Sequence, residues 1–163
     1  MRGRGGCRET SPALRAPPWH VASRGREARS YPFARPVRRY AASLGSKVSP
    51  IDGSGLTITN RSSAADVVTL LNRARRSPYG KALFDSLPVA GRDGTLADRM
   101  KGTAAAGRCH AKTGTLTGVS ALSGYCYNRS GRKFAFSILM NSVRDTYGAR
   151  AAQDRIAALI AGL

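Results

Sequence analysis

The sequence predicts an α+β fold: an antiparallel sheet meander with flanking helices. Three observations carry this. Strand-like runs follow one another after residue 107 with only turn residues between them, which makes an antiparallel meander. Residues 133–140 alternate, with Phe134, Phe136, Ile138 and Met140 on one face and Ala135, Ser137 and Leu139 on the other. Segments with helical apolar spacing stand on both sides of this block.

Composition divides the 163-residue chain into two unlike parts. Residues 1–40 hold ten Arg against Glu9 and Glu27, many Gly and Pro, and few aliphatics. Residues 41–163 hold 17 Lys plus Arg against seven Asp, and nearly all the Val, Ile and Leu. The Arg-rich start cannot bury enough apolar area to offset the entropy of ordering it. Residues 1–48 are therefore expected to be disordered, or a mistranslated stretch of GC-rich DNA. The folded domain is expected over 49–163, a size that buries a core with little margin.

Each element has a local reason. Ile51-Asp52-Gly53-Ser54-Gly55-Leu56-Thr57 is dense in turn formers and opens the folded part. Ser62 or Ser63 offers an N-cap to a helix over 64–76. There Val67, Leu70, Leu71 and Ala74 share a face, and Arg73, Arg75 and Arg76 load the last turn, where the dipole favours cations. Ser77-Pro78-Tyr79-Gly80 stops it. A short helix is expected over 81–87, ended by Pro88, and one helical turn over 96–100. Strands are expected over 108–115, 120–128 and 133–140, with turns at Thr117-Gly118 and Arg129–Arg132. A last helix over 147–160 takes Ala151, Ile156, Leu159 and Ile160 as its apolar stripe and covers one sheet face.

A net charge of +18 raises the possibility of a nucleic-acid partner. The Arg-rich start has no repeat, heptad or aromatic spacing that suits base stacking, so no nucleic acid is expected. No segment approaches the ~18 apolar residues of a membrane span, and no transmembrane segment is expected. Residues 2–39 lack the apolar core of a signal peptide, so no export signal is expected among them. Cys109 and Cys126 lie symmetrically about the turn at 117–118. Hairpin pairing sets them opposite each other within a residue, at a separation that suits a disulfide. Two buried thiols are the other reading.

Four blocks carry a resemblance. They are Asp52-Gly53-Ser54-Gly55-Leu56-Thr57; Ser86–Gly91 with Asp93-Gly94-Thr95-Leu96; Ala111-Lys112-Thr113-Gly114-Thr115-Leu116; and Leu122-Ser123-Gly124-Tyr125. In this order and spacing the chain, over about residues 49–163, resembles the C-terminal part of the D-alanyl-D-alanine carboxypeptidase/endopeptidases, the low-molecular-mass class C penicillin-binding proteins. Lys-Thr-Gly is one of the three motifs of penicillin-binding proteins and β-lactamases. The resemblance implies part of a serine β-lactamase/penicillin-binding-protein-like transpeptidase fold, with the active site along the Lys-Thr-Gly strand. It also implies peptidoglycan stem peptides as substrate, β-lactams as inhibitors of the intact family, no cofactor and no metal, and work outside the cytoplasmic membrane, in the cell envelope or secreted. That setting favours oxidation of Cys109 and Cys126.

The residues present suit half of that chemistry. The substrate ends in a carboxylate, which needs a cation and donors. Lys112, the catalytic candidate, supplies the charge and can help set the protonation of the serine and lysine across a complete site. The hydroxyls of Thr113 and Thr115 suit the carboxylate, Gly114 leaves room for a peptide laid along the strand, and the Thr115 N–H suits an oxyanion hole. Ser54 reads as structural, since no lysine follows three residues later, and His110 as a packing or surface residue. The nucleophile requires Ser-x-x-Lys on a helix. Here that spacing occurs only at Ser130-Gly131-Arg132-Lys133, in an expected turn, and Ser-x-Asn does not occur. The expectation is a carboxypeptidase fragment that is inactive alone. A non-catalytic peptidoglycan-binding module is the second reading and a basic nucleic-acid-binding protein the third.

Overall fold

Lys133–Asn141 alternates as its sequence demands, and it forms the last of three strands in the computed structural model, which describes residues 34–163. The elements are α1 (Ala34–Ser43), α2 (Ala64–Ala74), α3 (Gly80–Asp85), β1 (Cys109–Leu116), β2 (Val119–Tyr127), β3 (Lys133–Asn141) and α4 (Thr146–Gly162). The strands pair antiparallel in the order β1-β2-β3, each within a residue of its expected bounds. Among the described residues, no helix is long and apolar enough to cross a membrane.

The register between β1 and β2 places Cys109 opposite Cys126 and Lys112 opposite Ser123, and it is enforced at one point. A Cβ at Gly124 would lie 2.1 Å from the carbonyl oxygen of His110 and 2.6 Å from the Ala111 Cα. Only glycine lets the two backbones approach this closely. The Cys109 carbonyl points outward and accepts from the Ala90 N–H rather than from β2, so Cys109 and Cys126 form a non-hydrogen-bonded pair, the closer of the two antiparallel kinds. Their Cα atoms are 4.0 Å apart and their sulfurs are bonded.

The principal core lies on the α4 side of the sheet. Cys109, Ala111, Leu122, Cys126 and Phe136 meet Ala157 and Ala161 of α4 there, with Leu96 and Met100 closing one end. The buried stripe of α4 differs from the expected one. Gln153, Ala157 and Ala161 face the sheet, while Ile156 and Leu159 are 39% and 71% exposed. Two alanines let the helix axis sit close over the disulfide, where larger side chains would not fit. Gln153 is wholly buried because its amide donates to Ser120 Oγ at 3.0 Å.

The opposite face takes α2 and α3. Ser63 caps α2 by accepting from the Asp66 N–H at 3.0 Å, and Tyr125 donates its hydroxyl to the Leu71 carbonyl at 2.7 Å. The turn expected over 96–100 is instead a 3-10 turn at Gly94–Leu96, because Gly94 and Met100 both take positive φ, 51° and 62°. Helix α1 lies where no element was expected. Pro36 falls in its first turn, where a missing N–H costs nothing, and Ala34 and Ala41 bury a narrow face while the arginines stay in solvent. Residues 1–33 lie outside the described residues, so the expectation made for them lies there too.

Gly124→Ala is expected to cost about 4 kcal/mol or more, since backbone must move. Urea unfolding checks this; a loss below about 1 kcal/mol would contradict the close approach. Reducing the Cys109–Cys126 link, which spans 17 residues, is expected to lower stability by about 3 kcal/mol in the same assay.

Candidate active site

Strand alternation sorts the Lys-Thr-Gly-Thr run by face. Cys109 and Ala111 point into the α4 core, so Thr113 and Thr115 point to that side and Lys112 and Gly114 to the α2 side. Lys112 is exposed, and its Nζ donates to the Thr113 carbonyl at 2.7 Å. Thr113 Oγ1 donates to Thr95 Oγ1 at 3.0 Å, and Arg150 Nη2 donates to Thr115 Oγ1 at 3.4 Å. The four residues expected to act together, Lys112, Thr113, Gly114 and Thr115, thus sit on one edge strand.

The same alternation decides which backbone groups are free. The Ala111 N–H donates to the Pro88 carbonyl and the Ala90 N–H to the Cys109 carbonyl, both away from β2. Odd-numbered residues of β1 therefore face the outer edge. The segment 88–90 covers that edge only as far as Ala111. Beyond it, the N–H groups of Thr113 and Thr115 have no backbone partner among the described residues. This is a sheet edge with two donors open for an added peptide strand.

Gly114 and Gly124 contrast. A Cβ at Gly114 would meet only the Ala121 Cβ, at 3.4 Å, so packing from within the fold does not demand glycine there. A missing side chain at 114 opens the outer face of the strand instead. That face looks into a cleft of about 740 Å³ walled by Gly114, Leu116, Val119 and Leu139 from the sheet and by Thr57 and Ile58 from the loop opposite.

One carboxylate builds that loop. Asp52 accepts from the N–H groups of Gly55, Leu56 and Thr57, from Ser54 Oγ at 2.7 Å and from Asn60 Nδ2 at 2.9 Å. The hydrogen bonds from Ser54 and Asn60 hold its pKa down at about 2. Ser54 is therefore a donor inside the loop, as its sequence context indicated. Ser130 Oγ donates to Asn128 Oδ1 at 2.8 Å within the β2–β3 turn. Lys133 Nζ lies 4.0 Å from the Phe84 ring centroid and 4.9 Å from that of Tyr127. Neither residue of this Ser-x-x-Lys reaches toward the other.

His110 stacks on Phe84 with ring centroids 4.1 Å apart, and its Nδ1 has no hydrogen-bond partner. Burial, and then the charge of Lys133, hold its pKa below the ordinary 6.5. Sequence reasoning missed this aromatic cluster with its cation, because Phe84, Tyr127 and Lys133 come from three separate elements. It also missed Arg150, whose position on α4 carries no motif. Among the described residues, no cluster of three His, Cys, Asp or Glu could hold a metal ion.

Residues 46–163 match the D-Ala-D-Ala carboxypeptidase 3 (S13) family. The chain belongs to this family. It is 48% identical over 115 residues to the D-alanyl-D-alanine carboxypeptidase of Actinomadura sp. strain R39, covering 68% of this chain and 21% of that enzyme. It is 40% identical over 116 residues to carboxypeptidase DacB of Mycolicibacterium smegmatis, covering 68% and 25%. Its fold matches penicillin binding protein 4 (dacB) from Haemophilus influenzae with a TM-score of 0.64 at 26% identity, over 76% of this chain and 29% of that one. The complex of that protein with a novel β-lactam matches with a TM-score of 0.63 at 25% identity, over 76% and 31%. This chain thus spans about a fifth to a quarter of the curated relatives it matches.

The neutral His110 sets a pH dependence. A pKa below the unfolded value means that protonation is resisted only in the folded state. The stabilisation is complete above 6.5 and is lost as pH falls through the folded value. The urea midpoint is expected to decline over the acid interval below about pH 7. His110→Phe is expected to flatten that interval, and an unchanged slope would contradict this origin.

Proposed function

We propose that residues 49–163 form the substrate-gripping part of a serine-type D-Ala-D-Ala carboxypeptidase/endopeptidase that acts on peptidoglycan stem peptides. The observation that supports this most is the open outer edge of β1 beside an exposed Lys112. A stem peptide can add there as a further strand, which satisfies the free N–H groups of Thr113 and Thr115. The Thr115 N–H then faces the scissile carbonyl as an oxyanion donor, a role worth roughly 10²–10³ in rate. The hydroxyls of Thr113 and Thr115 receive the terminal carboxylate. Lys112, on the opposite face, lends positive charge to the cleft in which a nucleophile would stand. Gly114 keeps a side chain out of that space.

This chain alone is proposed not to turn over substrate. Ser54 is spent on Asp52, and Ser130 is turned away from Lys133. Strand positioning and an oxyanion donor do not replace a covalent step. β-Lactams, which present a strained amide beside a carboxylate, would meet the same edge when a nucleophile is supplied. The proposed setting is the cell envelope or the exterior, where the Cys109–Cys126 link persists. Absence of a helical Ser-x-x-Lys also favours a second reading, a peptide-binding module without catalysis. Both readings require the strand edge.

Two measurements test what both readings require. Fluorescent penicillin is expected to label no residue of this chain, and a labelled serine identified by peptide mapping would overturn the inactive assignment. Titration with N-acetyl-D-Ala-D-Ala is expected to shift the amide signals of Thr113–Thr115, and Lys112→Ala to weaken binding about threefold. Shifts confined to other elements would overturn the strand-edge site.

A further inference from the structure

The pleat of β1 leaves the expected carboxylate seat short of a charge. Thr113 and Thr115 present their hydroxyls on the α4 side, while Lys112 projects from the α2 side and is engaged with the Thr113 carbonyl. A carboxylate resting on the two hydroxyls therefore meets a cation carried by α4. That cation is Arg150, exposed, with Nη2 already 3.4 Å from Thr115 Oγ1. Among the described residues it makes no ion pair.

Its position is built into the fold. The Arg150 carbonyl accepts from Arg99 Nη2 at 3.1 Å. Arg99 is itself tied to Asp154 at 2.6 Å and to Gln153 Oε1 at 3.2 Å. Gln153 donates to Ser120 Oγ, and Ser120 is the ladder partner of Thr115. The links run from Thr115 through Ser120, Gln153, Arg99 and Arg150 and back to Thr115. This ring sets the first turns of α4 in register with the strand. Arg99 is neutralised within the ring by Asp154, so Arg150 is the ring's unneutralised guanidinium.

We infer that Arg150 is the direct ion-pair partner of the substrate's C-terminal carboxylate and completes a seat with the Thr113 and Thr115 hydroxyls. The inference rests on the strand-edge site proposed above and assigns its specificity. A planar guanidinium matches a carboxylate with two parallel donors, which an ammonium does not. Lys112 then contributes general positive potential from the far face. A peptide that ends in a carboxamide has no charge for Arg150 and is discriminated against at this residue.

The test compares N-acetyl-D-Ala-D-Ala with its C-terminal amide on the whole chain, by amide-shift titration. Arg150→Gln is expected to reduce the preference for the acid over the amide about fivefold, while the Thr113–Thr115 signals still respond. Arg150→Lys is expected to recover part of it. Lys112→Gln is expected to weaken both ligands and to keep most of the preference. An unchanged preference in Arg150→Gln overturns the inference and leaves the strand-edge site standing. Loss of the preference in Lys112→Gln alone also overturns it. If the unaltered chain shows no response at Thr113–Thr115 to either peptide, the strand-edge site fails and the inference fails with it.

Discussion

The close approach of β1 and β2 at Gly124 is the constraint from which the rest follows. With a Cβ excluded there, the two backbones lock in one register. A slip of one residue would exchange the faces of every β1 side chain. Lys112 would turn into the α4 core and Ala111 into the cleft. The disulfide, two pairs further along, holds the same register covalently. Charge at 112 and hydroxyls at 113 and 115 are useful only because this register keeps them on opposite sides of a free edge.

The two faces of the sheet do different work. The α4 side is dry and small-grained: Ala111, Ala157 and Ala161 pack around the disulfide, and the buried amide of Gln153 is satisfied by Ser120 and Arg99. Such a layer is stiff, so helix α4 carries Arg150 to a fixed place. The α2 side is filled at one end by Phe84, His110, Tyr125 and Lys133 and stays open at the other, where the Asp52 loop stands across from Gly114. Five donors on one carboxylate give that loop its shape with almost no apolar burial of its own.

Chemistry at the strand edge follows from parity more than from residue type. The N–H groups that point outward belong to the same residues whose hydroxyls point to α4. An added peptide would therefore find backbone donors and side-chain donors on successive odd positions, with cations on both faces. This places the anion-binding elements on secondary structure rather than on loops, where positions are held more tightly. Ser54 and Ser130, the serines with the most suggestive neighbours, are consumed by local hydrogen bonds.

Much of this was legible in the order of the residues. Alternation over 133–140, the Thr117-Gly118 turn and the spacing of Cys109 and Cys126 prescribe the meander and nearly its register, because side-chain period and hairpin geometry are local. The four family blocks are local too. What the linear order could not carry is which apolar side chains of α4 face inward, since Ile156 and Leu159 are the more hydrophobic choice and lose to two alanines on steric grounds. Nor could it show that Arg150 stands beside Thr115, 35 positions away, or that Lys133 ends among aromatic rings. Those placements arise when separate elements pack, and close packing, unlike periodicity, leaves no signature along the chain.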